Sequence, residues 1–174
     1  MPSDSEFQLV ALSKQGDHKA YEQLYRANAG KVYALCMRLC GQRELAEDLT
    51  QEAFIRAWQK IGSFRGDSAF GSWLYRLTSN LVIGHLRQQT KWKMDVFNDQ
   101  KHEATLGFAS IDDQRSDIEQ ALMALPDQAR VVVILYEYLG YKHNEISALT
   151  GMAVGTSKSQ LHRARAILNQ RATA

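Results

Sequence analysis

A chain of 174 residues, 45% hydrophobic and 23% charged, has room for one ordinary domain or two small helical ones, and its composition is globular rather than disordered. Only two prolines interrupt a sequence rich in Ala, Leu, Gln, Glu and Arg, which favours an all-α chain. Tyr141 to Ala174 holds five Lys/Arg against Glu145 alone, whereas the rest holds sixteen Lys/Arg and eighteen Asp/Glu; the net +2 hides a basic tail on a slightly acidic body. Asp4 and Glu6 stand where a secretory signal needs bases and then an apolar core. The longest strongly apolar run, Val131 to Tyr136, is too short to span a bilayer. These features exclude a membrane span and predict a soluble, cytoplasmic protein.

Helical periodicity runs from the start to about Thr90. Phe7, Val10 and Ala11 open a first helix that Gly16 ends. Asp17 caps a second, with Ala20, Tyr21, Leu24 and Tyr25 inward. Gly30 is expected to break that segment, and Val32, Leu35, Cys36 and Leu39 form a third stripe ending at Gly41. Cys36 and Cys40 lie one helical turn apart among leucines with no nearby His, so burial as small hydrophobes is favoured over a metal or redox role.

A fourth helix, roughly Glu44 to Ile61, buries Leu45, Ala46, Leu49, Ala53, Phe54, Ala57 and Ile61 on one arc. Glu44, Glu47, Asp48, Gln51 and Glu52 cluster on the opposite arc, joined by Ile55 and Trp58. Four acids with no compensating base, beside a branched apolar residue and an indole, predict a surface that meets a basic protein partner. An acidic solvated face is the alternative. A fifth helix, roughly Ser68 to Gln89, carries a core stripe of Phe70, Leu74, Leu77 and Leu81, and a second stripe of Trp73, Arg76, Asn80 and Arg87. Aromatic, guanidinium and amide groups in one row suit single-stranded DNA, because bases stack on rings while Arg holds phosphates. Core burial of Trp73 and Tyr75 remains the competing reading. The loop Phe64 to Asp67, turning at Gly66, is placed to wall a pocket for an unstacked base.

From Lys91 to Arg115 the pattern is polar and aperiodic, and it reads as a linker between two domains, with Trp92, Phe97 and Phe108 available for docking. Ser116 and Glu119 then form a capping box, Leu122, Met123 and Leu125 face inward, and Pro126 suits the first turn of the next helix. VVVILYEYLGY supplies most of the second core. Asn144 is expected to cap a helix ending at Gly151, and Thr156 to cap another through Leu168, with Val154, Leu161, Ala164 and Leu168 inward. This is a helix-turn-helix whose second helix presents Thr156, Lys158, Ser159, Gln160, His162 and Arg163, the geometry that sets side chains against major-groove base edges. A plain helical hairpin with a solvated basic face is the alternative.

Two stretches carry a family resemblance. ELAEDLTQEAFIRAWQKIGSFRGDSAFGSWLYRLTSNLVIGHLR resembles region 2 of the extracytoplasmic-function (ECF) sigma factors of the sigma-70 family, and ALPDQARVVVILYEYLGYKHNEISALTG with GTSKSQLHRAR resembles their region 4. The resemblance spans roughly Phe7 to Asn169 and implies an all-α protein of two small domains joined by a flexible linker, residues 1–90, 91–115 and 116–174. It implies an alternative sigma factor that directs core RNA polymerase to promoters. Glu47, Asp48, Gln51, Glu52, Ile55 and Trp58 would meet the β′ clamp coiled coil, and the C-terminal domain the β flap. Phe64, Arg65, Asp67, Phe70, Trp73, Arg76, Asn80 and Arg87 would hold the melted −10 strand. Thr156, Lys158, Ser159, Gln160, His162 and Arg163 would read the −35 duplex. A restraining anti-sigma factor is implied, and the chain is expected to be a monomer when free of partners.

The chain departs from the family pattern at three places. The family usually has a branched apolar residue where Ser157 stands, Arg where Gln160 stands, and an acidic or Tyr-containing entry where KHN precedes Glu145. Gln160 is therefore expected to shift base preference toward adenine. An autonomous helix-turn-helix regulator is the alternative function, but it leaves the acidic helix and the aromatic loop without a role. No glycine-rich phosphate loop, metal-ligand spacing or nucleophile motif occurs, so no enzyme, catalytic residue, metal or cofactor is expected.

Overall fold

The computed structural model describes residues 4–89, 92 and 116–173, and all regular structure among them is helical. The chain divides into two compact units, Met1–Met37 with Gln42–Val82, and Arg38–Gly41 with Ile83–Ala174. Each unit is a small helical cluster with its own core.

The first unit is built from α1 (Asp4–Lys14), most of α2 (His18–Cys40), α3 (Arg43–Lys60) with a 3₁₀ turn at Ile61–Ser63, and most of α4 (Phe70–Gln88). Asp17 caps α2 as its position implies: its carboxylate accepts from the Lys19 and Ala20 amides at 2.9 and 3.1 Å. Gly30, however, does not break the helix, and α2 runs unbroken through it. A helical glycine costs about 1 kcal/mol relative to Ala. Burying Ala20, Leu24, Val32, Leu35 and Cys36 along one continuous stripe outweighs that cost. Tyr25 also departs from its inward expectation: it is 42% exposed and only edges onto Phe54. On α3 the apolar arc is buried as its spacing predicts, at Ala46, Leu49, Ala53, Phe54 and Ala57.

The second unit holds α5 (Asp117–Met123), α6 (Asp127–Val133), a π-helical turn at Ile134–Tyr138, α7 (His143–Thr150) and α8 (Val154–Ala172). Ser116 caps α5 by accepting from the Glu119 amide at 3.3 Å. Val131 to Leu135 are all buried, and α6 packs chiefly on α8, which also packs on α7. Helix α7 begins before Asn144. Lys142 is its N-cap, and the Glu145 carboxylate reaches back to accept from the Lys142 amide at 3.2 Å. Helix α8 begins at Val154 rather than after Thr156, and Val154 is 39% exposed instead of inward. Gly151 ends α7 in the left-handed conformation (φ +80°) and donates to the Ser147 carbonyl at 3.0 Å, as its position predicts.

The linker expected over 91–115, with Phe97 and Phe108, lies outside the described residues apart from Trp92. Trp92 is buried within the second unit, its indole N–H donating to the Thr150 carbonyl at 3.2 Å. Cys36 and Cys40 are both buried.

Candidate nucleic-acid interface

Three of the residues expected to hold a single strand come together in one groove of the first unit. Trp73, Arg76 and Asn80 project at successive turns of α4 and line a cleft of about 320 Å³. The opposite wall belongs to α3 and the turn after it: Arg56, Lys60 and Ser63. The groove therefore gathers three cations around a half-buried indole. Such a surface tracks a phosphate backbone and offers a ring for stacking. Arg56 and Lys60 are the functional candidates that the sequence reading missed. Their signal is a basic i, i+4 pair in the last turns of α3, on the helix whose acids drew attention.

The other expected strand contacts fall into different places. Phe64 and Phe70 are 7% and 1% exposed, so neither is a bare stacking platform. They pack with Trp73 as an aromatic cluster, with ring centroids 5.3 to 6.0 Å apart, and brace the indole from behind. Their other side, with Phe7, Val10 and Lys14 of α1, encloses a second cavity of about 220 Å³. Arg65 and Asp67 are exposed on the loop, where Gly66 takes φ +78°, a conformation that L side chains rarely adopt. Lys14 ties the loop to α1 by donating to the Phe64 carbonyl at 2.5 Å. Arg87 does not join the groove. It belongs to the second unit, where its guanidinium donates to the Leu149 carbonyl at 3.1 Å and lies against Gly151.

The residues of α3 expected to meet a partner are exposed or half-buried, with one correction to their charge. Asp48, Gln51 and Ile55 are exposed, Ile55 at 58%. The acids are not uncompensated: Glu47 pairs with Arg43 at 3.4 Å and Glu52 with Arg56 at 2.7 Å, each one helical turn apart. Trp58 is half-buried, stacked on His18 (centroids 4.8 Å) and tilted against Tyr21 (4.9 Å). The Tyr21 hydroxyl donates to the Phe54 carbonyl, and burial pushes the phenol up to about 12. Trp58 is thus an anchored ring at the edge of an acidic and apolar patch.

On α8 the structure separates the six expected readers. Lys158, Ser159 and His162 are exposed, while Thr156 and Arg163 are half-buried. Gln160 is the contradicted expectation: it is 5% exposed, and its side-chain carbonyl has no hydrogen-bond partner among the described residues. Spacing explains the difference. Gln160 shares the inward face with Ser157, Leu161 and Ala164, so it packs against the scaffold rather than meeting solvent. Among the described residues no group of three His, Cys, Asp or Glu side chains is placed to hold a metal, and no helix is long and apolar enough to cross a membrane.

A helical unit with a basic aromatic groove, together with a second unit ending in a helix-turn-helix, defines a DNA-binding protein of transcription. The family models agree with that division. Residues 24–91 match sigma-70 region 2 and residues 115–168 match sigma-70 region 4. The ECF RNA polymerase sigma factor SigW of Bacillus subtilis is 32% identical, covering 90% of this chain and 91% of its own. The ECF RNA polymerase sigma-E factor of Escherichia coli K12 is 30% identical, covering 94% and 92%. Among solved structures, the sigma factor RpoE of Bartonella quintana, crystallised with the anti-sigma factor NepR, matches with TM-score 0.55 and 26% identity over 90% of this chain and 98% of that one. This chain belongs to the ECF family of RNA polymerase sigma factors, the alternative sigma factors that direct core polymerase to promoters.

Proposed function

We propose that the chain initiates transcription by dividing promoter recognition between its two surfaces, with residues 1–90 and 116–174 acting as separate domains. The groove of Arg56, Lys60, Trp73, Arg76 and Asn80 holds the unpaired −10 strand, and the cavity between α1 and the Phe64–Phe70 loop receives one extruded base. At about 220 Å³ that cavity suits a single ring system, since drug-sized clefts run to roughly 300–1,000 Å³. Lys158, Ser159 and His162, flanked by Thr156 and Arg163, read the −35 duplex.

Core polymerase docks on the exposed face of α3 through Glu47, Asp48, Gln51, Glu52, Ile55 and Trp58, meeting the β′ clamp coiled coil, while the C-terminal domain meets the β flap. The protein acts in the cytoplasm as an initiation factor rather than a catalyst, monomeric until it meets a partner. An anti-sigma factor that covers these surfaces keeps it silent, by likeness to the relative from Bartonella quintana.

The observation that supports this reading best is the groove, which Arg56, Lys60 and Arg76 line together with Trp73. An autonomous duplex-binding regulator needs no such feature. The test is transcription in vitro with core polymerase and a genomic DNA library. Transcripts sharing a two-block upstream motif are expected. Duplex binding without polymerase, and no transcripts, would instead indicate the autonomous regulator.

A further inference from the structure

Two positions that the sequence reading singles out, Ser157 and the His143 of KHN, touch each other. Ser157, in the first turns of α8, is fully buried (0% exposed), and its hydroxyl lies 2.8 Å from Nδ1 of His143, the first residue of α7. The His143 ring in turn stacks on Tyr136 of the π-helical turn, with centroids 4.7 Å apart and planes inclined by 22°. The Arg165 guanidinium lies 5.7 Å from the centroid of that same Tyr136 ring, and it pairs with Glu137 beside it. The contacts therefore leave α8 at Ser157, cross α7 and the π turn, and return to α8 at Arg165.

Those two points are eight residues apart on α8, about 12 Å along the axis at 1.5 Å per residue. A helix pinned at two separated points is restrained both in sliding and in rotation. The exposed residues Lys158, Ser159 and His162 all lie between the pins. Base readout needs donors and acceptors held to within roughly 0.5 Å and 10–20°, and an apolar side chain at position 157 has no directional bond with which to supply that. A hydroxyl shared with a stacked imidazole does.

We propose that the Ser157–His143–Tyr136–Arg165 circuit is a specificity-positioning device, which fixes the rotation of α8 so that Lys158, Ser159 and His162 meet base edges in one register. None of its four members need touch DNA. Its loss relaxes sequence discrimination rather than abolishing binding. This inference rests on the reading of α8 as the duplex-reading helix.

The test uses the full chain with core polymerase on a promoter library randomised in the upstream block. The variants are Ser157→Val, which replaces the hydroxyl with an apolar branched side chain, His143→Phe, which keeps the ring stack but removes the nitrogen, and their double. Each single variant is expected to lose about fivefold in discrimination between the best sequence and single mismatches, the weight of one buried hydrogen bond. The double variant is expected to lose no more than either single, because both cut the same bond. Ser157→Thr, which retains the hydroxyl, should restore selectivity. Far-UV circular dichroism and melting confirm folding; if Ser157→Val fails to fold, His143→Phe and the threonine rescue carry the result. Unchanged selectivity in folded variants, or additive losses in the double, would overturn the circuit. A wild-type protein that selects no upstream sequence would overturn the reading of α8 itself, and the circuit with it.

Discussion

In the groove between α3 and α4, Arg56, Lys60 and Arg76 line a cleft with an indole that packs on Phe64 and Phe70. On α8, Lys158, Ser159 and His162 stand exposed on a helix that contains no Phe, Tyr or Trp. Both surfaces attract phosphate, so charge does not distinguish them; the aromatic content does. Unpaired bases present π faces, on which an indole stacks with a modest preference set by stacking strength. A duplex hides those faces and shows only edges, which small polar and basic side chains on a helix can read. On the proposed reading, one chain carries chemistry for both states of DNA, each state matched to its own unit.

The sharpest way to break the comparison is to damage one surface and leave the other. Gly151→Val should have the largest effect. Its φ of +80° strains any branched residue, and an added Cβ would lie 3.3 Å from the Arg87 guanidinium. A cost of about 2–3 kcal/mol follows from strain of this kind, read as a lower melting temperature and lost duplex binding while single-strand binding persists. Trp73→Ala should do the converse. Losing one stacking platform costs about 1–2 kcal/mol, roughly tenfold in single-strand affinity, with duplex affinity unchanged. Lys158→Ala should cost about 1 kcal/mol in binding to the preferred duplex and relax discrimination at one upstream position. Binding to duplexes that differ at single upstream positions checks it.

A third surface gives a smaller, pH-dependent signal. The Tyr21 phenol beside Trp58 is raised to about 12 from an ordinary 10.0, mainly by burial. A raised folded value means that its contribution is intact below pH 10 and fades as pH climbs through 12. Ultraviolet titration should show a late phenolate that Tyr21→Phe removes. The smallest effect belongs to Gln160→Leu: the buried amide leaves the core and promoter preference stays as it was. A changed upstream preference in that variant would return Gln160 to the list of base readers.

Much of this architecture is legible locally. Asp17, Ser116 and Gly151 mark helix ends because capping and left-handed turns depend on one or two residues of chemistry. The buried stripe of α3 follows from spacing alone. What escaped depended on neighbours distant in sequence. Gly30 stays helical because packing overrides propensity along α2, and Gln160 turns inward because the scaffold fixes the rotation of α8. Arg56 and Lys60 become a wall of the groove only when α4 brings Trp73 and Arg76 opposite. Arg87 fits a stripe on a helical wheel, yet its guanidinium is taken by the Leu149 carbonyl. A wheel shows which residues share a face but not what lies across from it.

The central claim is that the two surfaces read separate parts of one promoter. It is tested most directly by transcription in vitro from a library randomised in both upstream blocks, comparing wild type with Trp73→Ala and His162→Ala. The account predicts that Trp73→Ala weakens selection in the block nearer the start site only, and His162→Ala in the distal block only. Loss in the same block from both variants, or no effect from either, would contradict it.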